Sequence, residues 1–549
     1  MSADLPIGVD DTETPPPQPV APAARRAVAR AAAVVSAATL ASRILGFIRD
    51  VVIARAFGAG AATDAFFVAF RLPNLLRRLV AEGALSSAFI PVFTEHVTTR
   101  SRAETLRMLR AVTGMMLLIL GGLSLLGILA APWFVRAMAP GFFTDPAVGQ
   151  LTVRLTRLMF PYLFLVGLSA LAMGVLNAHR HFLLPAMAPV ALNIGIIIGA
   201  VVIAPRLPEP VIGLAVGVLL GGLGQLLLQV PWLAKRRLLA TPRVDFRDPA
   251  VRRILGLMTP VVVGQSATHI GTLINTIIAS FLSKGSVSYL YYADRLIEFP
   301  LGVFGVSIAT AVLPTLSEQA ARRDKAALRE TVSFALRLVT FVSIPAAVGL
   351  FVLSEPIVRV LYERGRFGPD QTIGTAGAVA MYALGIVGSS IAKILAQAFF
   401  AMGDTRTPMK VSVGAMAFNC TLAFLLAPSL AHVGLALAIA AASTLNAVVL
   451  MVIIRRRLPG NPIPGERRAW FRVVGVSAGL FVLLSVLCRF APAAPGRFQE
   501  AAWLAAVIIG STAAYVSCNA ALGSDEVRLA WGALAGRWRR SSLRRGKRR

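Results

Sequence analysis

The sequence predicts an all-α integral membrane protein: fourteen transmembrane helices, arranged as two six-helix lobes related by an internal repeat, with two extra helices at the C-terminal end. Three observations carry this prediction. The 549 residues are 56% hydrophobic and only 15% charged, with a mean hydropathy of +0.72. A water-soluble chain of this length needs far more polar surface, and apolar runs of this kind read as membrane spans. Basic residues collect in alternate gaps between the apolar runs. Matched positions recur at a spacing near 223 residues.

Taken in order, residues 1–24 are rich in Pro, Ala and acidic groups and read as a disordered segment, not a signal peptide, because no basic start precedes a short apolar core. Six spans follow in the first lobe (25–234), near 30–57, 63–93, 106–134, 149–178, 182–204 and 210–234. A basic cytoplasmic linker, 235–253, carries Lys235, Arg236, Arg237, Arg243, Arg247, Arg252 and Arg253. The second lobe (254–454) holds spans near 254–282, 288–316, 328–353, 373–401, 408–428 and 432–454. Residues 455–522 supply spans 13 and 14, at 470–490 and 499–522, and 523–549 form a basic cytoplasmic tail.

The gap 455–472 is also strongly basic, whereas 58–62 and 283–287 are nearly uncharged; the exception is 361–371, with Arg364 and Arg366. By the positive-inside rule both termini and the basic gaps lie in the cytoplasm. The same distribution assigns the net charge of +29 to topology rather than to nucleic acid. Three scattered cysteines, Cys420, Cys488 and Cys518, give neither a disulfide framework nor a zinc site. No phosphate-loop, HExxH or GxSxG pattern supports an enzyme, and no cofactor or metal is expected.

The repeat pairs Ala88 with Ala311, Pro91 with Pro314, Glu95 with Glu318, Ala178 with Ala401 and Pro185 with Pro408. With one residue of slippage Arg71 pairs with Arg295. Internal repeats are a transporter signature, with the substrate site at their interface.

Spans 1, 2 and 8 carry ionisable groups at bilayer depth, where such groups are expensive and mark a pathway. At about 100° per residue, Asp64, Arg71, Arg78 and Glu82 fall within roughly 40° on one stripe of span 2, with Asn74 nearby and Arg77 to one side. On span 1, Arg43 and Asp50 share a face while Arg49 diverges; on span 8, Asp294 and Glu298 share a face with Arg295 beside them. Arg43 and Arg77 lie about fourteen residues from the outer end, and Arg49, Arg71 and Arg295 about seven or eight, which gives two cationic tiers. Arginine forks suit phosphate. Hence Arg43, Arg49, Arg71, Asn74, Arg77 and Arg295 are expected to bind an anionic, phosphate-bearing lipid-linked substrate. Asp50, Asp64, Arg78, Glu82, Asp294 and Glu298 are expected to form gating ion pairs. The alternative for these charges is interhelical ion pairing that only holds the bundle together. Lys393 and His269 are weaker intramembrane candidates, and Gly213, Gly217 and Gly221 read as close helix packing.

The stretch SRILGFIRDVVIARAFGAGAATDAFFVAFRLPNLLRRLVAEGALSSAFIPVF (42–93) closely resembles the signature of the MurJ (MviN) family of lipid II flippases. YYADRLIEFPLGVFGVSIATAVLPTLS (291–317) and LYERGRF (361–367) resemble two further blocks of that family. The resemblance implies the multidrug/oligosaccharidyl-lipid/polysaccharide exporter fold, and a bacterial cytoplasmic membrane protein that moves the undecaprenyl-pyrophosphate-linked peptidoglycan precursor from the inner to the outer leaflet. It implies no enzyme activity. The expected partners are lipid II, membrane lipids and cell-wall synthesis proteins, without nucleic acid. Residues required in the family fall on Arg43, Arg49, Asp64, Arg77 and Arg295, and Asp50, Asn74 and Glu82 match charged or polar family positions. Some members bind sodium through aspartates of spans 7 and 11; here those spans offer Gln265, Asn275 and Asn419 but no acid. A flippase for another polyprenyl-linked polysaccharide subunit and a non-transporting membrane scaffold are the competing readings.

Overall fold

In the computed structural model, residues 22–239, 241–458, 460, 466–490 and 496–528 are described, except for the side chains of 22–32, 80–82, 84, 263–269, 303, 304, 466 and 467. The N-terminal segment up to 21, the tail from 529, and the side chains of Glu82, Gln265 and His269 therefore lie outside the described residues.

Helix follows helix, and there is no strand among the described residues. The first lobe comprises α1 (Pro22–Phe57), α2 (Ala61–Leu76), a π-helical stretch (Arg77–Leu85) and α3 (Ser86–Thr99). It continues with α4 (Arg102–Leu129), α5 (Ala131–Met138), α6 (Pro146–Met159), α7 (Pro161–Ala178), α8 (Leu183–Ile198), α9 (Val211–Leu227) and α10 (Val230–Lys235). The second lobe comprises α11 (Pro249–Ser280), α12 (Ser286–Pro300), a π-helical stretch (Leu301–Val306) and α13 (Ser307–Ala321). It continues with α14 (Lys325–Val352), α15 (Ser354–Tyr362), α16 (Pro369–Ala401) and α17 (Arg406–Arg457). Last come α18 (Glu466–Arg489) and α19 (Arg497–Ala521).

All fourteen expected segments are helical, and nine helices among the described residues are long and apolar enough to cross a membrane by length and composition. Spans 1 and 7 are the unbroken helices α1 and α11, whereas spans 2 and 8 are interrupted. Span 2 is α2, the π stretch and α3 in series, and span 8 repeats that plan with α12, π and α13. Spans 11 and 12 run as one helix broken at Ala431, whose left-handed φ of 48° turns the chain back.

The repeat reaches the helix ends. α4 at 102–129 matches α14 at 325–352; α5 and α15 begin at 131 and 354; α6 and α16 begin with Pro146 and Pro369; α7 and α16 end at Ala178 and Ala401. The two π stretches, beginning at 77 and 301, occupy matching places after Pro73 and beside Pro300.

A core beneath the turns at 58–60 and 281–285 joins the lobes, with Ile53, Phe66 and Phe67 against Tyr292, Tyr362 and Phe367. Each lobe also has a core of its own, around Phe89, Met115 and Leu176 in the first and Leu336, Leu395 and Phe399 in the second. The foot of α11 (Val251, Ile254, Met258) packs into the first lobe's core. The expected glycine packing is found between α8 and α9: a Cβ on Gly195 would lie 2.4 Å from the backbone nitrogen of Gly221.

Candidate functional site

Close approach of α8 to α9 sets α8 beside α1 and brings Asn193 to the buried end of Arg49. Arg49 Nη1 donates to Asn193 Oδ1 at 2.9 Å, and Asn193 Nδ2 donates to the Ser42 carbonyl at 3.1 Å. The other edge of the Arg49 guanidinium grips its neighbour: Nε and Nη2 donate to Asp50 Oδ1 at 3.0 and 2.7 Å. From the second lobe Arg295 Nε reaches Asp50 Oδ2 at 3.3 Å. The Tyr291 hydroxyl sits among all three. It accepts from Arg49 Nη2 (3.2 Å) and Arg295 Nη2 (3.1 Å) and donates to Asp50 Oδ1 (3.3 Å). Arg49 and Asp50 are buried, at 8% and 1% exposure. One carboxylate thus sits between two cations from different lobes, and the Tyr291 ring is stacked on Phe67 with centroids 3.8 Å apart.

Above this cluster, Asp64 is buried and bound across the lobes. Its Oδ2 accepts the Gly285 N–H at 2.6 Å, and its Oδ1 accepts the N–H and hydroxyl of Ser288 at 2.8 and 2.6 Å. An acceptor from one helix caps the start of another. Lys284 pairs with Asp145 at 2.8 Å, the Gly141 N–H donates to Ser280 Oγ at 3.1 Å, the Arg366 N–H to the Arg55 carbonyl at 3.0 Å, and the Ala59 N–H to Gln371 Oε1 at 2.7 Å. The ends of spans 2 and 8 at the nearly uncharged gaps are therefore held together. Outside the spans, the Lys284 ammonium holds the Asp145 carboxyl below its ordinary range.

The remaining site residues lie deeper. Arg71 donates to Thr276 on α11 rather than joining Asp50. Arg77 Nε donates to Asn74 Oδ1 at 3.0 Å, and Arg295 Nη1 to Glu298 Oε2 at 2.7 Å. Asp294 lies in the fields of Glu298, Arg295, Arg71 and Arg78. Arg43, Arg78, Asp294 and Glu298 keep exposed side chains, and the Arg43 guanidinium lies beside Gly302. Lys393 is half-buried and shares the electrostatic field of Glu298. Polar groups at bilayer depth cannot face lipid, so this set lines the interior between the lobes.

The structure brings the outer tier together only in part: Arg49 and Arg295 meet, and Arg71 stands apart. The single stripe expected on span 2 ends near Arg77, because the helix becomes π-helical there and each residue turns through a smaller angle. Sequence reasoning missed Tyr291, Asn193, Ser288 and Thr276. A lone asparagine in the otherwise apolar run 183–198 was the available signal for Asn193; the hydroxyls gave none. Of the polar residues noted in spans 7 and 11, Asn419 Nδ2 donates to Asn275 Oδ1 at 3.2 Å. No cluster of three or more metal-ligating side chains occurs among the described residues.

The chain matches the family described as "Lipid II flippase MurJ" over residues 53–505. It belongs to the MurJ family. A lipid II flippase MurJ of Burkholderia cenocepacia is 40% identical over 458 residues, covering 82% of this chain and 89% of the relative. A probable lipid II flippase MurJ of Rhizobium meliloti is 36% identical, covering 90% and 94%. A solved MurJ in an inward closed conformation superposes with a TM-score of 0.74 at 26% identity, over 89% of this chain and 98% of that one. An inward-facing MATE-family multidrug transporter shares the fold, with TM-score 0.62 at 16% identity over 76% and 94%. The fold is that of the MurJ and MATE transporters, and the chain is a multi-pass protein of a bacterial transporter family.

Proposed function

We propose that this protein moves lipid II, the undecaprenyl-pyrophosphate-linked peptidoglycan precursor, from the inner to the outer leaflet of the bacterial cytoplasmic membrane by alternating access. One observation carries the reading: Asp50 occupies, in the dry interface between lobes, the guanidinium edges of Arg49 and Arg295 that a pyrophosphate would take. Charge-assisted forks of this kind bind phosphate and carboxylate alike. An arriving pyrophosphate competes with Asp50 for both arginines, loosens the tie between spans 1 and 8, and so couples loading to the opening of the outer seal. Arg43, Arg77 and Asn74 receive the phosphates first, nearer the cytoplasm. Arg49, Arg295 and Arg71 receive them next. Asp50, Glu82, Asp294 and Glu298 neutralise the cations, Arg78 among them, when the substrate is gone, while Asp64 holds the seal through Gly285 and Ser288.

In this reading the lobes are 25–234 and 254–454, both termini are cytoplasmic, fourteen spans cross the bilayer, and enzymes that make or use lipid II are the neighbouring partners. Depletion of the protein, followed by measurement of lipid II in each leaflet, tests it. Accumulation in the inner leaflet is expected. Unchanged distribution identifies a scaffold, and accumulation of a different polyprenyl-linked saccharide identifies a different cargo.

A further inference from the structure

The linker that joins the lobes does not hang free. After α10, Arg237 turns the chain through a left-handed φ of 54°, and the following segment lies along α4, where the Arg243 N–H donates to the Arg110 carbonyl at 3.0 Å. Gly114 makes that approach possible, since a Cβ there would meet the Arg243 backbone at 2.4 Å. Two neighbouring cavities result, sharing Leu106 in their walls. One, of about 230 Å³, is lined by Arg100, Arg102 and Arg236. The other, of about 330 Å³, is lined by Arg107, Arg110 and Arg243.

None of these six arginines has a carboxylate within ion-pair distance among the described residues. The nearby acids make their hydrogen bonds and ion pairs elsewhere: Glu104 accepts from the N–H and hydroxyl of Ser101, sharing only a longer-range field with Arg100 and Arg107, Asp245 from the Arg247 N–H, and Asp248 from the Ala250 and Val251 N–H groups; Glu95 pairs with Arg253. The α4 pair is particular to this lobe: at matching places in the second lobe Arg107 is replaced by Glu330 and Arg110 by Ser333, whereas Arg100 and Arg102 are matched by Arg323 and Lys325. Between the arginines the linker exposes Leu239, Val244 and Phe246, at 55%, 56% and 44%. Apolar side chains interleaved with cations belong at the headgroup boundary, not in open water.

We infer that these paired basic cavities hold the phosphate of an anionic glycerophospholipid of the inner leaflet, which clamps the interlobe linker onto α4. Guanidinium N–H groups from α4 and from the linker donate to the same phosphate oxygens, while Leu239, Val244 and Phe246 enter the acyl region beside it. The inference stands whether or not the transported cargo is lipid II.

The test titrates phosphatidylglycerol into delipidated full-length protein, with bound lipid counted by native mass spectrometry. Its comparator is Arg107→Glu with Arg110→Ser, the side chains of the other lobe. Each surface cation contributes on the order of 1 kcal/mol toward an anionic lipid, so the paired change is expected to weaken binding about thirtyfold or more. Phosphatidylcholine binding should be equal in both proteins. The control Arg455→Glu with Arg456→Ser changes the same charge elsewhere on the basic side and should stay within about threefold of wild type. Equal loss in the control overturns the site in favour of diffuse attraction. Unchanged phosphatidylglycerol affinity in the comparator also overturns it. Glycerol 3-phosphate binding as tightly as the lipid shows a free-anion site instead. If the comparator does not elute as a folded species, Arg110→Gln with Arg243→Gln is read in the same way.

Discussion

Asp64 and Ser288 meet across the lobes: one carboxylate oxygen accepts both the backbone N–H and the hydroxyl of the serine, at 2.8 and 2.6 Å. Asp64→Ala leaves the Gly285 and Ser288 N–H groups without that acceptor at a buried helix start. By analogy with lost helix caps, the sealed state should be destabilised by about 1–2 kcal/mol. A cysteine in place of the buried Ala65 should then label faster with an impermeant thiol reagent, and thermal unfolding in detergent should begin earlier. A labelling rate equal to wild type would show that the seal does not depend on this contact. A cysteine pair at Ala65 and Leu290 should crosslink in the sealed state, block transport and recover on reduction.

Arg43→Ala, Arg49→Ala, Arg77→Ala and Arg295→Ala should each abolish complementation of a depleted strain while leaving the protein inserted. Lysine should restore activity only partly at Arg49, which grips with two edges at once, because an ammonium is a point charge. Normal growth of all four alanine variants at native expression would refute the phosphate-binding role.

Tyr291→Phe keeps the ring on Phe67 and removes only the bridging hydroxyl. Each lost hydrogen bond to a charged group is worth about 1.5–3 kcal/mol at most. Transport should therefore fall by roughly tenfold or more without the full loss expected of Arg295→Ala. An unchanged transport rate would reduce the tyrosine to a packing residue.

Topology has its own test. Cysteines placed at 240 and 460 should resist an impermeant reagent in intact cells, and one in place of the exposed Ser283 should react. Reaction at 240 would reverse the proposed orientation.

Asp404, in the turn between α16 and α17, offers a pH test. Thr407 donates to it through N–H and hydroxyl, Arg457 pairs with it at 2.6 Å, and its pKa is pushed down to about 2. A depressed carboxylate stabilises the fold above its unfolded pKa near 4, and that contribution disappears as pH falls toward 2. Asp404→Asn should lower the thermal midpoint at pH 7, and the difference from wild type should shrink below pH 4. A constant difference across that range would exclude the ionised form as the cause.

The spans were legible because long apolar runs have no other stable home, and the repeat because prolines and small residues at packing points survive at fixed offsets. The π stretches were not legible. Arg77–Leu85 has the composition of any amphipathic helix, and nothing local says that its backbone bonds reach one residue further. A wheel drawn at α-helical spacing therefore holds for Asp64 and Arg71, on the regular part of the helix, and not beyond Leu76. Charges at bilayer depth singled out Arg49, Asp50 and Arg295 one by one. Their meeting on one carboxylate depends on the packing of α1 against α8 and α12, which no single segment encodes.

α11 belongs to the second lobe in the order of the chain, yet its foot is embedded in the first lobe through Val251, Ile254 and Met258. Higher up, Asn275 ties it to Asn419 of the other side. Such a rod cannot follow either half when the two swing apart. It has to flex along its own length, and Pro260, which lacks an N–H for the preceding turn, is where its backbone yields most readily. The size of the stroke is then set by the elastic limit of one helix rather than by slack in the loops.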